Sequence, residues 1–579
     1  MLVALALMAG MGAVGQTVPT PGPLLEVSAE EAQAHELKPH RSSIPVEWTP
    51  GPVSPKLRFV QPYQLDAQLT LTLTVSATGD VTAAEADGDA RAMKFWPEVQ
   101  GEVWQWKFRP FEKEGVAVAA KVEESVELVP PPRFAKVHVE APKVGPKSKV
   151  EIRLRLERRG CMGDCPAYAL TVSTEGVVFE GRSSVVAEGR HTAGVDADAV
   201  RELAKTMAAA DFYSMLPSYW ASVTDCAGYS LAVTIDGRTQ SVADYMGTWV
   251  GMPVVVRELE EDVDALAGSG RWIKGSEGMV ALLTAEGYNF KTFAAQTMLK
   301  SAARNGQAGT VGELLAAGVP LQPMAAPKSK EAYEGVPFEH VGWLQAGAAN
   351  AAVVTAMIAA GAGKDDQEDK DLALNTAAEA GSLESVRALI AYGANPKVDL
   401  SKLTVTEEGG GMTLQGPGSG SVLIAAADSG NPAVVREILQ YHPKLEARNR
   451  SGETAMFAAG QYRSSDKDGD RVECVKLLAA AGANVNARDD DGNTPLHWIF
   501  LTDVEEELVK LGADVNARNK DGETPLFTNV DRDSIPMLVE RGADLFAVNK
   551  EGKTAADVAH ERDRYREEDL RKAMAVAKR

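Results

Sequence analysis

At 579 residues the chain has room for several domains, and 45% hydrophobic against 24% charged residues gives each of them material for an apolar core. A formal net charge of −21 excludes the broad basic surface needed to hold nucleic acid or an anionic membrane non-specifically. Four cysteines in so long a chain mean that the folds rest on packing rather than on cross-links.

Residues 1–15 read as an export signal. Leu2 to Val14 is a short apolar run, and Ala13-Val14-Gly15 places small residues ahead of a cut before Gln16. The run is too short to span a bilayer comfortably, and no other run is long and apolar enough, so no stable membrane insertion is expected after cleavage. No cysteine lies near Gln16, which argues against a lipid anchor. Residues 16–56, with Pro19, Pro21, Pro23, Pro39, Pro45, Pro50, Pro52 and Pro55, are expected to be an extended linker. His35 and His40 lie there without metal-ligand company and read as solvated loop residues.

Residues 57–130 read as a small α+β domain. Leu69 to Val75 alternates apolar residues with threonine, which predicts a strand with one buried face. Thr78-Gly79-Asp80 turns the chain, and a helix is expected near Pro97. Trp104 to Phe111 and Val116 to Val129 read as two further strands about a turn at Glu114-Gly115. Trp104, Trp106 and Phe108 are expected to fill the core, and an exposed strand edge could accept a partner strand. The Trp-x-Phe-x-Pro phrase before a turn and a long last strand resembles the C-terminal domain of TonB-type envelope proteins. No long Pro-Lys or Pro-Glu span precedes it, so a coupling role needs an inner-membrane attachment from elsewhere.

Val129-Pro130-Pro131-Pro132 marks a boundary, and 131–149 reads as a second linker. Over 150–273, alternation in Val150 to Leu156 opens another α+β domain. Strands are expected at 169–173, 177–181, 231–235 and 240–244, and helices near 196–209 and 252–266. Cys161 and Cys165 admit three readings: a local disulfide, separate thiols, or a redox-active pair. The last needs a thiolate favoured by a helix N-terminus or a cation; Arg158 and Arg159 are close, but the spacing is not the two-residue gap of thioredoxin-like sites. Structural zinc needs four ligands, and no histidine is near. Cys226 is left as a third thiol. The Cys-x-Gly-x-Cys-Pro-x-Tyr phrase, Tyr219, Thr224-Asp225, Asp244-Tyr245 and Trp272 resemble a bacterial domain of unknown function, which implies a fold unit and no activity.

Residues 280–579 carry a repeat. Apolar helical stretches end at Gly318, Gly361 and Gly393, and further on at Gly482, Gly512 and Gly542. Asp491-Gly492-Asn493-Thr494-Pro495-Leu496-His497 recurs as Asp521-Gly522-Glu523-Thr524-Pro525-Leu526-Phe527, and Gly492, Gly522 and Gly552 are 30 residues apart. Thr494 and Thr524 can cap a helix, and Pro495 and Pro525 suit its first position. The whole phrase resembles the ankyrin repeat, over seven or eight units. His497 to Gly512 is 15 residues, a shortfall expected to trim the turn between the two helices. Phe457 to Gly482 carries an insertion, read as solvated. Its Asp466-Lys467-Asp468-Gly469-Asp470 opens like a calcium loop, but Arg471 and Leu477 stand where that loop needs Gly and Glu. Val398 to Ser421 reads as a flexible finger.

The expected architecture is thus multidomain: two small α+β domains, then an α-helical ankyrin solenoid. The resemblance implies protein binding through turn tips and first helices. On the strongest units the unconstrained positions are Arg450, Glu453, Asp490, Asn493, Lys520, Glu523, Lys550 and Lys553. The resemblance also gives His497 structural bonds between repeats and turns Trp498 inward. No Gly-x-Ser-x-Gly elbow, His-Glu-x-x-His or phosphate loop occurs, and no metal or cofactor is expected. The expectation is a non-enzymatic, protein-binding scaffold, periplasmic or otherwise exported, in a bacterial cell envelope. A thiol–disulfide oxidoreductase using Cys161 and Cys165 and a TonB-like coupling protein are the alternatives.

Overall fold

A computed structural model of the chain describes residues 25–27, 43–45, 67–89, 92–113, 116–144, 150–161, 165–221, 223, 225–324, 341–400, 404–406, 413–415, 420–461, 468–499, 501–528, 534–562 and 564–577; the expected export signal lies outside them. The chain divides into two units, one running to Val178 and including Gly194–Ala267, the other comprising Phe179–Ala193 and everything from Gly268 onward.

In the first unit, Leu69, Leu71, Leu73 and Val75 are fully buried along the strand Ala67–Val75 while the threonines between them face outward. This strand pairs antiparallel with Val81–Asp87 on one side and Ala120–Val129 on the other. Trp96–Val103 forms a helix with Pro97 in its first turn, where a missing N–H costs nothing, and buries Val99 and Val103 four residues apart. The stretch expected to be a strand from Trp104 is mostly not one. Lys107 makes an isolated bridge to Asp80, and Phe111–Lys113 pairs with Val116–Val118. Trp106 and Phe108 do enter the core, but Trp104 is 42% exposed. Gly79, at φ +87°, lies against the Phe108 carbonyl; a Cβ there would come within 1.9 Å of that oxygen.

Two pieces of the segment read as linker are strands. Leu25–Val27 and Ser43–Pro45 both pair in parallel with Ala120–Val129. They occupy the edge of that strand away from Ala67–Val75, so an incoming chain would meet an occupied edge there.

The second sheet of this unit sets Ala167–Ser173, Ile152–Arg159, Gly228–Ile235, Arg238–Tyr245 and Ser218–Trp220 side by side. Ala197–Ala209, capped by Asp196, and Val255–Ala267 pack on it through Val200, Leu203, Met207, Val256, Leu259 and Val263. Residues 131–144 are not free either. Arg133 N–H donates to Gly251 O (2.7 Å), Ala135 N–H to Ser214 O (2.8 Å), and the Tyr219 hydroxyl to Arg133 O. Glu127, on Ala120–Val129, accepts from Trp249 Nε1 and from Arg257 Nη1 (3.3 Å), tying the two sheets together.

The second unit is helical apart from short strands. Among the described residues eight helix pairs follow one another, from Phe293–Arg304 with Ala308–Ala316 to Ala555–Arg562 with Arg564–Ala577. Where the first helices are long enough, they stack on first helices: Gln367–Glu379 touches Val422–Asp428, which touches Ala455–Ala459. Second helices stack likewise, as in Leu383–Ala391, Pro432–Leu439, Asp468–Ala481 and Thr502–Lys510. The short repeat loses its length from the first helix, which shrinks to the 3₁₀ turn Pro495–His497. The insertion before Gly482 ends in helix from Asp468, so Asp468, Gly469 and Asp470 are helical rather than looped, while Asp466 and Lys467 lie outside the described residues. The finger after Val398 contains a pairing of Thr404–Thr406 with Thr413–Gln415, and Gly409 to Gly411 lie outside the described residues.

Candidate functional site

The turn tips of the helical unit are built by one device repeated. Asn449, Asp489, Asn519 and Asn549 each accept, through Oδ1, the backbone N–H groups two and four residues ahead, at 2.8–3.0 Å. Such side-chain bonds replace a backbone turn and fix the tip. Neighbouring tips are then joined backbone to backbone: Asp490 N–H to Ser451 O (3.0 Å), Lys520 N–H to Asp491 O (2.8 Å), Lys550 N–H to Asp521 O (2.8 Å). Arginines lace the same edge. Arg488 Nη1 donates to Gly492 O and Arg518 O, both 2.7 Å, and Arg518 Nη1 to Gly522 O (2.8 Å) and Val548 O (2.7 Å).

The side chains at the tips differ in exposure. Arg450, Asp490, Lys520 and Lys550 are exposed at successive tips. Glu453, Glu523 and Lys553 are half-buried. Glu453 accepts from Asn449 Nδ2 (2.6 Å), and Lys553 pairs with Glu551 (3.2 Å). Asn493 is not at the surface. It is buried, donating to Asp489 Oδ2 (2.9 Å) and accepting from Asn519 Nδ2 (2.9 Å), so it joins two tips instead of facing outward.

His497 closes the phrase as expected. Thr494 N–H donates to Nδ1 (3.0 Å), which puts the ring proton on Nε2, and Nε2 donates to Glu523 O of the next repeat (3.2 Å). Burial holds the imidazole below its ordinary value, the bond to Glu523 O pulling the other way. Trp498 corrects the sequence reading. It is 40% exposed, its Nε1 donating to Asp489 Oδ2 (3.1 Å) beside the exposed Asp490. The 3₁₀ turn ends at this residue, and the ring leaves the core there.

Residues 423–510 and 464–549 match the family described as ankyrin repeats (3 copies). Ankyrin repeats occupy 423–549. Residues 152–267 match a domain of unknown function, DUF6438. Over 101 residues the chain is 39% identical to diacylglycerol kinase iota of Rattus norvegicus and of Mus musculus, and 38% identical to that of Homo sapiens. That stretch is 17% of this chain, which spans only 9% of each relative.

The domain at 152–267 contains a second feature, an open cavity of about 330 Å³ lined by Arg159, Cys161, Trp220, Asp225, Cys226 and Tyr229, among others. Cys161 and Cys165 form a disulfide; Cys226 belongs to none. Trp220 stacks on Tyr245, ring centroids 4.3 Å apart, and the Tyr245 hydroxyl accepts from Cys226 N–H (3.3 Å). Asp244, also at the wall, is buried and accepts from Gly247 N–H (2.6 Å); burial raises its carboxyl against that bond and against Arg257. Glu260 behind it is pushed well up by burial and then by Asp244. Among the described residues no group of three His, Cys, Asp or Glu side chains could hold a metal ion, and no helix is long and apolar enough to cross a membrane.

Proposed function

We propose that the helical half is one continuous solenoid whose tip edge binds another protein, and that the chain is a non-catalytic scaffold acting outside the cytoplasm. Ankyrin repeats support protein binding in general. The observation that carries the reading here is the division of labour at the tips: backbone groups are consumed in tip-to-tip bonds while Arg450, Asp490, Lys520 and Lys550 stay exposed. Ordering these side chains on a partner then costs little backbone entropy. Trp498 supplies the aromatic anchor that binding surfaces concentrate. The apolar run Leu2 to Val14 and the Cys161–Cys165 disulfide support an oxidising, extracytoplasmic compartment.

The test is crosslinking in native envelope extract with the full chain and with W498A/K520E/K550E, whose changes lie on solvent-facing positions. A defined crosslinked species is expected with the parent and lost with the triple variant. Equal recovery from both would overturn the assignment to this edge. Mass spectrometry of the chain recovered from the extract checks export, since a first residue other than Gln16 would oppose the cut proposed here.

A further inference from the structure

Three cysteines meet at one end of the second sheet. Ile152–Arg159 is flanked by two antiparallel neighbours. One has the register Arg158↔Tyr168, the other Arg159↔Gly228. Carried onward, the first register sets Cys161 opposite Cys165 and the second sets the same Cys161 opposite Cys226. The first extrapolation is met by the disulfide itself, with Cα atoms 5.5 Å apart. The second agrees with the cavity, whose lining includes both Cys161 and Cys226. Opposed residues of antiparallel strands lie ~4.5–5.5 Å apart at Cα, inside the ~4.4–6.8 Å that a disulfide bridges. On these two registers Cys161 lies between two cysteines, Cys165 on one side and Cys226 on the other.

We propose that this end of the sheet is a thiol–disulfide exchange site in which Cys226 takes Cys161 from Cys165. The Cys226 thiol loses its proton, and the thiolate attacks Cys161 Sγ. A Cys161–Cys226 bond forms, the Cys161–Cys165 bond breaks, and Cys165 leaves as a thiolate that takes up a proton. One disulfide and one thiol stand on each side, so no oxidant or reductant is consumed. All three cysteines are half-buried rather than sealed, and Arg159, Asp225 and Asp244 line the cavity with Cys161 and Cys226. Cys474, by contrast, is buried among repeat helices, its thiol pushed up to about 12 by burial, and takes no part. The exchange moves the reactive thiol from the cavity at Cys226 to Cys165. It is independent of the binding role proposed for the repeats.

The experiment equilibrates the oxidised full chain near the ordinary thiol value, about pH 8.5. It is then quenched with N-ethylmaleimide and mapped by non-reducing digestion and mass spectrometry. Two populations are expected: Cys161–Cys165 linked with Cys226 alkylated, and Cys161–Cys226 linked with Cys165 alkylated. The second is lost in C226S. In C165S, treatment with diamide is expected to give the Cys161–Cys226 peptide as the main product. The proposal fails if the parent chain gives Cys226 alkylated throughout, a measurement that needs no variant to fold. It fails equally if diamide leaves Cys161 and Cys226 of C165S as two thiols.

Discussion

Arg471 makes the sharpest demand on the repeat packing. It is wholly buried, in the first turn of Asp468–Ala481, where a cation gains nothing from its own helix. Its guanidinium donates instead to Asp428 O (2.9 Å), Ala458 O (3.2 Å) and Ala459 O (3.3 Å). Those carbonyls end Val422–Asp428 and Ala455–Ala459, so one side chain satisfies the negative ends of two stacked helices. Gly430, at φ +69°, leaves it room: a Cβ there would lie 3.3 Å from the guanidinium carbon. R471M keeps the volume and removes every donor. Three bonds to a charged group at ~1.5–3 kcal/mol each set the upper end, and relaxation around the carbonyls trims this to the ~3–5 kcal/mol usual when one side of a buried polar set is deleted. At about 1.4 kcal/mol per tenfold, amides of 422–428 and 455–459 should exchange on the order of 100-fold faster or more in the full chain. Those of Ala67–Val75 serve as the control. R471K, with a charge but no planar fork, should fall between. If R471M exchanged within about threefold of the parent, the guanidinium would be a space-filler, and the capping argument would be wrong.

The remaining predictions concern pH and the first unit. Because burial lowers His497 from its ordinary 6.5, the unfolded chain binds a proton there that the folded chain refuses. Its contribution is complete above about pH 6.5 and is lost as pH falls below it. H497Q keeps an acceptor for Thr494 N–H and cannot titrate. Urea midpoints of the repeat half between pH 7.5 and 5.5 should therefore fall more in the parent than in H497Q, and equal slopes would remove His497 as the cause. E127A deletes the acceptor shared by Trp249 and Arg257, both partly screened by solvent. A loss of ~2 kcal/mol should lower the calorimetric midpoint of the first unit by about 4–8 °C, with E127Q retaining part of it. An unchanged midpoint would mean that Glu127 does not join the two sheets energetically.

What could be read from the sequence was what has a local cause. The Thr-Pro-Leu-His phrase specifies its own cap, first helical residue and turn, and His497 bonds to Thr494 and to the next repeat as the phrase implies. Alternation in Leu69 to Val75 likewise needs no partner to be recognised. The features that escaped are made by distant residues. Arg471 finds its acceptors 12, 13 and 43 residues away, and nothing in its polar surroundings signals burial. Leu25–Val27 and Ser43–Pro45 are too short for any periodicity and exist through Ala120–Val129. The ankyrin phrase turns the residue after its histidine inward, but here the 3₁₀ turn Pro495–His497 ends at Trp498 and the ring faces outward. That Cys161 and Cys226 line one cavity depends on the pairing of two strands 69 residues apart, given by Arg159↔Gly228.

The insertion before Gly482 shows which part of the repeat is held fixed. Between the two regular units, Asp514 N–H donates to Asn486 Oδ1 across 28 residues, and Arg488 Nη1 to Arg518 O across 30. At the next junction the same bonds recur at the same separations, Asp544 N–H to Asn516 Oδ1 and Arg518 Nη1 to Val548 O. Across the insertion, Asn484 N–H donates to Glu446 Oε1 over 38 residues and Arg448 Nη2 to Arg488 O over 40. Each separation grows by ten (38 − 28 and 40 − 30), the same ten by which Phe457 to Gly482 exceeds His497 to Gly512 (25 − 15). The extra residues are thus absorbed between one tip and the next, partly in the link between the paired helices and partly in a longer second helix, Asp468–Ala481 at 14 residues against nine in Thr502–Lys510, and the tips meet as though they were absent. On the two sides of this comparison the first helices differ too, five residues in Ala455–Ala459 and three in Pro495–His497, with the same outcome. Helix length is free to vary while tip spacing is not, so a surface that must present charges at regular intervals belongs at the tips.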